Sequence, residues 1–480
     1  MNHFTNHYRQ LPSHFYQVIS PEPLIDARLV HYNRSLAAEI GIDLNDQQIR
    51  QLTSGEAMPE DFTPLAQKYT GHQFGYYNPD LGDGRGLLLG QTLHNDRSWD
   101  LHLKGAGMTP FSRRGDGRAV LRSAVREYLI GEALHYLNVP TTRCLSLCHS
   151  PEPVYREKIE NRASYIRTAK THVRFGHFEW LAEINDRASF IQLADYVIEL
   201  VYPHLADEPE STRYAELLRE VCINTAQMIA KWQAVGFCHG VMNSDNMSIA
   251  GETFDFGPYA FLDDFKIHYI CNHSDSEGRY AYSQQPNIGL WNCQVLGQAF
   301  AMLLDSKQIE QALDAYVIHY NQAYLQAMGN KFGLADINEN DRDFIADSLI
   351  LMDQSDIDFH HFFKKLALLE SEREQQWNDF IGDSKAWRDW QQTYLARTEK
   401  QQREHRQRQI QQQTVDFVLR NHIAQEIIEN CESGDYQLLA QTMQWLQTPN
   451  NPPSELQNNY RHFLEQPNAA MKGIALSCSS

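Results

Sequence analysis

Glycine is concentrated in one short part of this chain, and that concentration limits how the part can fold. Ten of the 26 glycines lie between Tyr69 and Gly117, in about a tenth of the 480 residues. Glycine permits backbone conformations and close approaches that a side chain would block. We therefore expect a region in which the backbone itself, rather than side chains, makes the important contacts.

The charge balance excludes some classes of protein. Forty-two Lys and Arg against 61 Asp and Glu give a formal net charge of −19 at pH 7. Such a charge argues against a protein whose main task is to hold nucleic acid or an anionic membrane surface. With 42% hydrophobic and 11% aromatic residues the chain can bury a sizeable core, so global disorder is excluded.

Other features bear on the compartment. No stretch reaches the roughly 18 to 20 consecutive apolar residues of a membrane span, and the first residues lack the basic-then-apolar layout of a secretory signal. Eight cysteines are sparse for this length and fit free thiols in a reducing compartment. We expect a cytoplasmic protein with no membrane and no nucleic-acid partner, built from about three units or from two large lobes with additions.

Hydrophobic periodicity predicts several elements. Between Trp99 and Lys104 apolar and polar residues alternate, which predicts a half-buried strand with Lys104 on its polar face. Apolar residues at helical spacing predict helices elsewhere. These helices are expected over residues 24–40, 118–137, 214–235 and, as one solvated helix, 397–413. The chain from about residue 290 onward is expected to be mainly helical.

Four polar features occur in order, the first within the glycine-rich segment and the others after it. Lys104 ends the predicted strand, and Glu127 lies 23 positions later on a predicted helix. An Asp245-Asn246 pair then precedes by ten residues an Asp-Phe-Gly triplet that starts at Asp255. Chemistry on a nucleoside triphosphate needs glycine amides near phosphate, a Lys held by an acid, oxygen ligands for a divalent ion and a carboxylate near the attacking hydroxyl. Each feature alone is weak, but their order matches the protein-kinase plan.

Two features depart from an ordinary kinase. Asp245 and Asn246 are neighbours, whereas kinases separate the corresponding pair by four residues. The glycine-rich part of the chain is also rich in arginine. These arginines are Arg85, Arg113, Arg114, Arg118, Arg167 and Arg174. Several guanidinium groups suit bidentate capture of a highly charged phosphate tail, although a solvated face or pairing with carboxylates explains any single one about as well.

Seven long strings of residues resemble the selenoprotein O family. They are Tyr69–Gly75 (YTGHQFG), Leu81–Arg85 (LGDGR), Lys104–Arg113 (KGAGMTPFSR), Gly115–Ser123 (GDGRAVLRS), Arg174–Glu179 (RFGHFE), His239–Ser248 (HGVMNSDNMS) and Asp255–Tyr259 (DFGPY). The resemblance runs from about residue 10 to the C-terminus, and strings of this length are highly specific.

The resemblance implies an α+β fold, protein-kinase-like and two-lobed. Residues 1–180 would form an N-lobe with a mixed or antiparallel β-sheet and a Gly- and Arg-rich site for the nucleotide phosphates. Residues 181–380 would form a mostly helical C-lobe with the catalytic loop and the Asp-Phe-Gly triplet. Residues 381–480 would form a helical C-terminal extension that ends in a Cys-containing tail.

The resemblance also implies an activity. Members of the family are protein adenylyltransferases that bind ATP flipped relative to kinases and pass AMP to Ser, Thr or Tyr hydroxyls of proteins, with release of pyrophosphate. Transfer of UMP from UTP is attributed to bacterial members as well. A flipped nucleotide would explain the excess of arginines, since the leaving pyrophosphate must then be held deep in the glycine-rich lobe. Mg²⁺ is the implied metal, with Mn²⁺ as an alternative, and we expect a monomer.

Site residues follow from the matching motifs. The residues implied to bind or arrange the nucleotide are Gly82, Gly84, Arg85, Lys104, Asp116, Gly117, Glu127, Arg167, Arg174 and Asp255. Among them, Glu127 would orient Lys104. Asn246 and Asp255 would hold the metal ion, and Asp245 would accept the proton of the attacking hydroxyl.

Three further hypotheses accompany this interpretation. Some relatives carry selenocysteine near the C-terminus, and Cys478 resembles its sulfur counterpart. We hypothesise a regulatory disulfide between Cys271 and Cys478, with an inert exposed thiol as the alternative. An ordinary kinase-type phosphotransferase, with ATP in the usual orientation, is the alternative among enzymes. A catalytically silent, kinase-like nucleotide-binding module is the alternative outside them.

Overall fold

A computed structural model describes residues 4–474, in which an antiparallel sheet precedes a long series of helices. The strands are β1 (Phe4–Thr5), β2 (Tyr16–Val18), β3 (Arg28–Tyr32), β4 (Leu65–Gln73), β5 (Tyr76–Gly82), β6 (Gly86–His94), β7 (Arg97–Lys104), β8 (Ala119–Val120), β9 (Arg143–Tyr155), β10 (Ile159–Ala169), β11 (Phe237–Cys238) and β12 (Ala260–Phe261). The helices are α1 (Arg34–Glu39), α2 (Asp46–Ser54), α3 (Leu121–Tyr136), α4 (Phe175–Glu183), α5 (Arg187–Val201), α6 (Glu210–Ala234), α7 (Gln285–Phe300), α8 (Ser306–Lys331), α9 (Asp341–Gln354), α10 (Phe359–Leu366), α11 (Glu374–Ile381), α12 (Lys385–Thr398), α13 (Arg403–Gln413), α14 (Asn421–Glu432), α15 (Gln437–Trp445) and α16 (Ser454–Asn459). The predicted α+β class is confirmed.

Strands β1 to β10 form one sheet whose ladders are all antiparallel. The main path runs β2-β4-β6-β7-β10-β9-β3, and β1, β5 and β8 add to β6, β4 and β10. Strand β7 therefore lies inside the sheet, between β6 and β10. Its register places Lys104 opposite Gly86 on one side and Tyr165 on the other.

Strand β7 confirms the predicted strand but corrects its surroundings. The polar side chains of the alternation, Asp100, His102 and Lys104, are all buried, so the expectation of a half-buried strand is wrong. A buried polar group needs a partner to offset the loss of water. Asp100 accepts a hydrogen bond from Gln91 Nε2 at 2.8 Å, and Lys104 donates to Glu127.

Two predicted helices are confirmed. Helix α3 begins at Leu121, three residues after the predicted start, and buries Glu127 on the face that lies against the sheet. Helix α6 ends before Gly236, whose φ of +67° gives the left-handed conformation of a C-terminal cap. A Cβ at this glycine would also lie 2.7 Å from the Phe359 ring. No helix of the described residues combines the length and the apolar character that a membrane span requires.

Two other predicted helices are wrong in extent. Residues 24–40 contain strand β3, which pairs with β9, and only then the short helix α1, capped by the Asn33 side chain. Residues 397–413 contain the end of α12 and a separate helix, α13. The chain turns between them because Arg406 is buried: its guanidinium donates to Thr398 Oγ1 at 2.8 Å and pairs with Glu370.

Glu252, just before the Asp-Phe-Gly triplet, makes stability depend on pH. Its carboxyl group is buried, and burial raises its pKa to about 7 although the backbone N–H of Lys170 donates to it at 3.1 Å. Between about pH 4.5 and pH 7 the folded protein keeps a proton that the unfolded chain has lost. The resulting stabilisation is complete at low pH and disappears as the pH rises through 7.

We therefore predict that Glu252→Gln flattens the pH dependence of stability. The free energy of unfolding of the wild type, measured by urea denaturation, should fall between pH 5 and pH 8 by about 1 to 3 kcal/mol more than that of the variant. Glu372→Gln, at an exposed position, is the control and should follow the wild type. Parallel curves for the wild type and Glu252→Gln would show that Glu252 is already ionised at pH 5.

Candidate active site

A cleft of about 500 Å³ brings most of the predicted site residues together. Those that line it are Gly82, Gly84, Arg85, Lys104, Asp116, Gly117, Arg167, Arg174, Asp245, Asn246 and Asp255. Glu127 lies behind the cleft and touches it through Lys104 and Arg167. The lining comes from the β4–β5 hairpin, the end of β7, the 105–118 loop, β10, the start of α4 and the 241–258 segment. The site therefore exists only because the sheet and the part of the chain that follows it meet.

Glu127 joins two cations at the back of the cleft. Its Oε2 lies 2.7 Å from Lys104 Nζ and 2.6 Å from the Tyr165 hydroxyl, and its Oε1 lies 3.2 Å from Arg167 Nη1. Burial opposes ionisation, but Lys104 and Arg167 hold the pKa of Glu127 below its ordinary value. A permanently charged Glu127 therefore fixes both cations in place, as the sequence predicts for Lys104.

Asp255 is surrounded by three cations. One carboxylate oxygen, Oδ1, lies 3.1 Å from Lys104 Nζ and pairs with Arg167 Nη1, while Oδ2 pairs with Arg174 Nη1. Against the effect of burial, these three groups hold the pKa of Asp255 well below its usual range. Its φ of +59° is left-handed, an uncommon conformation for a residue other than glycine. Three cations therefore meet at the back of the cleft, where all three pair with Asp255 and two of them also pair with Glu127.

Asp245 and Asn246 reach the cleft on a short 3₁₀ turn, Ser244–Asn246. The Asp245 carbonyl accepts from Arg174 Nη1 at 2.8 Å, which links the turn to the cation cluster. Its Oδ2 accepts from Gln73 Nε2 at 3.2 Å, whereas its buried Oδ1 has no hydrogen-bond partner among the described residues. Burial raises the pKa of Asp245 to about 7. A carboxyl group of this kind is suited to take up and release a proton near neutral pH.

The crowded glycines serve close backbone packing around the cleft. A Cβ at Gly117 would lie 2.0 Å from the Gly107 carbonyl oxygen, so the 105–118 loop can fold back on itself only with glycine there. Thr109 Oγ1 donates to the Asp83 carbonyl at 2.6 Å and fixes the loop against the end of β5. The loop backbone is thereby held at the edge of the cleft.

Sequence reasoning missed one arginine of the cleft. Arg156, at the tip of the β9–β10 hairpin, donates from Nη1 and Nη2 to the two carboxylate oxygens of Asp116, both at 2.9 Å. Nothing in the local pattern distinguishes it from a surface arginine. Of the other arginines that the sequence singled out, Arg113 and Arg118 also line the cleft, and Arg118 pairs with Glu22 at 2.7 Å.

The donor set of the cleft fits a magnesium ion that arrives with a nucleotide. No cluster of three or more His, Cys, Asp or Glu suited to a metal is present in residues 4–474. Mg²⁺ usually binds through one or two carboxylates together with substrate phosphates and water, so it needs no such cluster. Asp255 supplies a carboxylate, and Asn246 supplies Oδ1 because its Nδ2 is tied to the Val241 carbonyl at 3.0 Å.

Cys271, one of the two cysteines in the hypothesised disulfide, is buried. Its Sγ lies 3.4 Å from Cys238 Sγ, and burial raises the pKa of its thiol well above the usual range. Cys478 lies outside the described residues, so the Cys271–Cys478 disulfide stays a prediction.

The chain is similar to known proteins over most of its length. The family model described as protein adenylyltransferase SelO matches residues 1–447. Proteins named protein nucleotidyltransferase YdiU are similar over almost their whole length. The protein from Hydrogenovibrio crunogenus is 51% identical, and the matched region covers 98% of this chain and 99% of the relative. The protein from Vibrio parahaemolyticus is 44% identical, and the matched region covers 99% of this chain and 98% of the relative. The relative from Vibrio cholerae is 43% identical, and the matched region covers 100% of this chain and 99% of the relative.

These matches confirm the predicted class of enzyme, a nucleotidyltransferase, and the resemblance on which it rests. The chain is a member of the protein adenylyltransferase SelO family.

Proposed function

We propose that this protein transfers AMP from ATP to Ser, Thr or Tyr hydroxyls of other proteins and releases pyrophosphate. The observation that carries the proposal is the cluster of Lys104, Arg167 and Arg174 around Asp255, with Asp245 beside it in the same cleft. Three fixed cations suit a polyphosphate. A carboxyl group in the wall of the same cleft suits a hydroxyl nucleophile.

The proposal includes a kinase-like, two-lobed arrangement. The sheet of residues 4–169 would be the core of an N-lobe that ends near residue 180, and the helices from α5 onward would form the C-lobe and, beyond residue 380, the C-terminal extension. The support is the position of the cleft, which is lined from both parts. We further propose a cytoplasmic monomer, in line with the expectations from cysteine content and family.

The phosphates would be held by the cations of the cleft. Lys104, Arg167 and Arg174 would bind the β- and γ-phosphates, with Arg85 at the exposed edge of the cleft. The remaining residues of this part of the site, whose backbone or side chains would contact the rest of the nucleotide, are Gly82, Gly84, Asp116 and Gly117. Because Glu127 fixes Lys104 and Arg167 before the nucleotide arrives, little reorganisation is needed on binding.

Asn246 and Asp255 would hold Mg²⁺, or Mn²⁺ in its place. The ion, when bound, supplies positive charge that stabilises the phosphate oxygens. Asp245 accepts the proton of the acceptor hydroxyl while the hydroxyl oxygen bonds to the α-phosphorus. The bond from the α-phosphorus to the bridging oxygen breaks at the same centre, and its electron pair leaves with the pyrophosphate, which Arg167 and Arg174 retain.

Labelled nucleotides test this proposal directly. With α-labelled ATP, Mg²⁺ and casein or a cell lysate as acceptor, the wild type should label protein, and γ-labelled ATP should leave protein unlabelled. Label from γ-labelled ATP alone would mean an ordinary phosphotransferase, and binding of ATP without label from either would mean a silent module. Parallel reactions with α-labelled UTP and with Mn²⁺ identify the preferred nucleotide and metal, which the name of the relatives, protein nucleotidyltransferase, leaves open.

A further inference from the structure

The motif over Tyr69–Gly75 has no part in the proposed chemistry, yet it contacts the turn that carries Asp245. This motif forms the end of β4 and the bend of the β4–β5 hairpin. The backbone N–H of His72 donates to Ser244 Oγ at 2.7 Å. At Gly71 the approach is so close that a Cβ would lie 2.9 Å from the Cβ of Asp245. The hairpin is therefore held directly against the Asp245 turn.

A second set of hydrogen bonds fixes the bend of the hairpin. The backbone N–H of Phe74 donates to Asn243 Oδ1 at 3.2 Å and to the Tyr280 hydroxyl at 2.9 Å. That hydroxyl in turn donates to Asn243 Oδ1 at 2.6 Å. Since Tyr280 and Asn243 are both buried, these contacts tie the bend to the helical part of the protein. The side chain between His72 and Phe74 is thus placed with little freedom.

That side chain is Gln73, and its amide contacts Asp245. Gln73 Nε2 donates to Asp245 Oδ2 at 3.2 Å, and Asn78 Nδ2, from the opposite strand, donates to Gln73 Oε1 at 3.1 Å. A carboxylate offers only acceptors and an amide nitrogen only donors. Asn78 therefore determines which end of the Gln73 amide faces Asp245, namely the donating end.

The two oxygens of Asp245 consequently differ. Oδ2 is occupied by Gln73, while Oδ1 is buried, belongs to a residue of the cleft wall and has no partner in the part of the chain that the structure describes. We propose that Gln73 is a positioning residue for the transfer reaction: its hydrogen bond to Oδ2 fixes the orientation of the Asp245 carboxylate that receives the acceptor's proton.

This inference rests on the proposed function, because it refines the role of Asp245. In the transfer step the acceptor O–H gives its proton to the Asp245 carboxylate, the hydroxyl oxygen bonds to the α-phosphorus, and the bond from the α-phosphorus to the bridging oxygen breaks as pyrophosphate leaves. Gln73 neither gains nor loses a proton. Its hydrogen bond fixes the rotation of the carboxylate about the bond to Cβ, and a misaligned general base slows the chemical step more than it weakens nucleotide binding.

The test compares Gln73→Leu with the wild type on α-labelled ATP and casein. We expect kcat to fall about 10- to 100-fold, the usual effect of losing one hydrogen bond to a charged group, with the KM for ATP changed less than threefold. Gln73→Glu, which sets a second carboxylate against Oδ2, should lower kcat at least as much. In the Asp245→Asn background, Gln73→Leu should cause no further loss, because the carboxylate it positions is gone.

Lys68→Met is the matched control for damage to the hairpin. Lys68 Nζ donates to the carbonyls of Pro79 and Leu81 within the same hairpin, and the residue makes no hydrogen bond to Asp245. This variant should lower the melting temperature as much as Gln73→Leu but keep the wild-type kcat. If Lys68→Met loses kcat equally, or if Gln73→Leu and Gln73→Glu both transfer AMP at the wild-type rate, the inference is wrong.

The outcomes separate this inference from the proposed function. Suppose that the wild type and both Gln73 variants transfer AMP while Asp245→Asn does not. Then only the role of Gln73 is lost. If the wild type transfers no AMP, the proposed function is lost, and the inference with it. If Asp245→Asn transfers AMP normally, the roles of Asp245 and Gln73 are lost, while AMP transfer itself stands.

Discussion

Asp245→Asn is expected to lower kcat for AMP transfer by about 10²- to 10⁴-fold, the range that a positioned general base contributes. The substitution keeps the size of the side chain and removes only its ability to accept a proton. Binding of ATP should remain within about threefold of the wild type, since the contact of Asp245 with Arg174 is made by its main-chain carbonyl, which asparagine retains. Single-turnover transfer from α-labelled ATP gives the rate, and titration with a fluorescent ATP analogue gives the affinity.

Asp80→Asn is the control for that experiment. Asp80 is an exposed carboxylate on β5, and its variant should transfer AMP like the wild type. An Asp245→Asn protein that transfers AMP at more than about a tenth of the wild-type rate would mean that another group, or water, accepts the proton.

Asp255→Asn is expected to abolish transfer and also to destabilise the free protein. Removing the carboxylate leaves three buried cations: Lys104 and Arg167 keep Glu127 as their counter-charge, and Arg174 keeps only Asp83, at 4.0 Å. An uncompensated buried charge typically costs about 3 to 5 kcal/mol. The side chain of Asp255 is 17% exposed, so we expect a loss of about 2 to 4 kcal/mol in the free energy of unfolding, measured in urea.

The same variant tests the metal site. Mg²⁺ with a non-hydrolysable ATP analogue should raise the melting temperature of the wild type, and the rise should disappear in Asp255→Asn. Asp341→Asn is the matched control, because Asp341 is also buried and paired with an arginine, Arg397, at 2.6 Å. It should lose stability yet keep both the ligand-induced rise and AMP transfer. If Asp255→Asn transfers AMP normally with Mg²⁺, then Asp255 neither binds the metal nor arranges the nucleotide.

Secondary structure was predictable where the local pattern agreed with the tertiary contacts. Helix α6 has a continuous apolar face and a glycine at its end, so its spacing alone predicted it. The stretch 397–413 has good helical composition throughout, yet it breaks because Arg406 is drawn inward to Thr398 and Glu370. Local pattern was also insufficient for strand β7. Its alternation predicts one buried and one exposed face, whereas both faces are buried because other elements cover the sheet.

The members of the candidate site were predictable by type but not by arrangement. Each of the predicted residues either lines the cleft or, like Glu127, lies directly behind it. Arg156 and Gln73 were missed as site residues. The proposed reaction requires neither an arginine paired with Asp116 nor the side-chain amide of a glutamine in the β4–β5 hairpin, so nothing in the sequence pointed to them. Their contributions follow only from distances between parts of the chain that are far apart in sequence.

The sequence by itself determined the family, the class of enzyme and the residue types that a nucleotide site requires, because these depend on the identity and order of residues along the chain. Only the tertiary structure decided that Asp255 is enclosed by Lys104, Arg167 and Arg174, and that one oxygen of Asp245 is occupied while the other has no partner among the described residues. The reason is physical. Charge pairing and burial act through space over a few ångströms, and the groups concerned are separated by up to 172 positions in the chain.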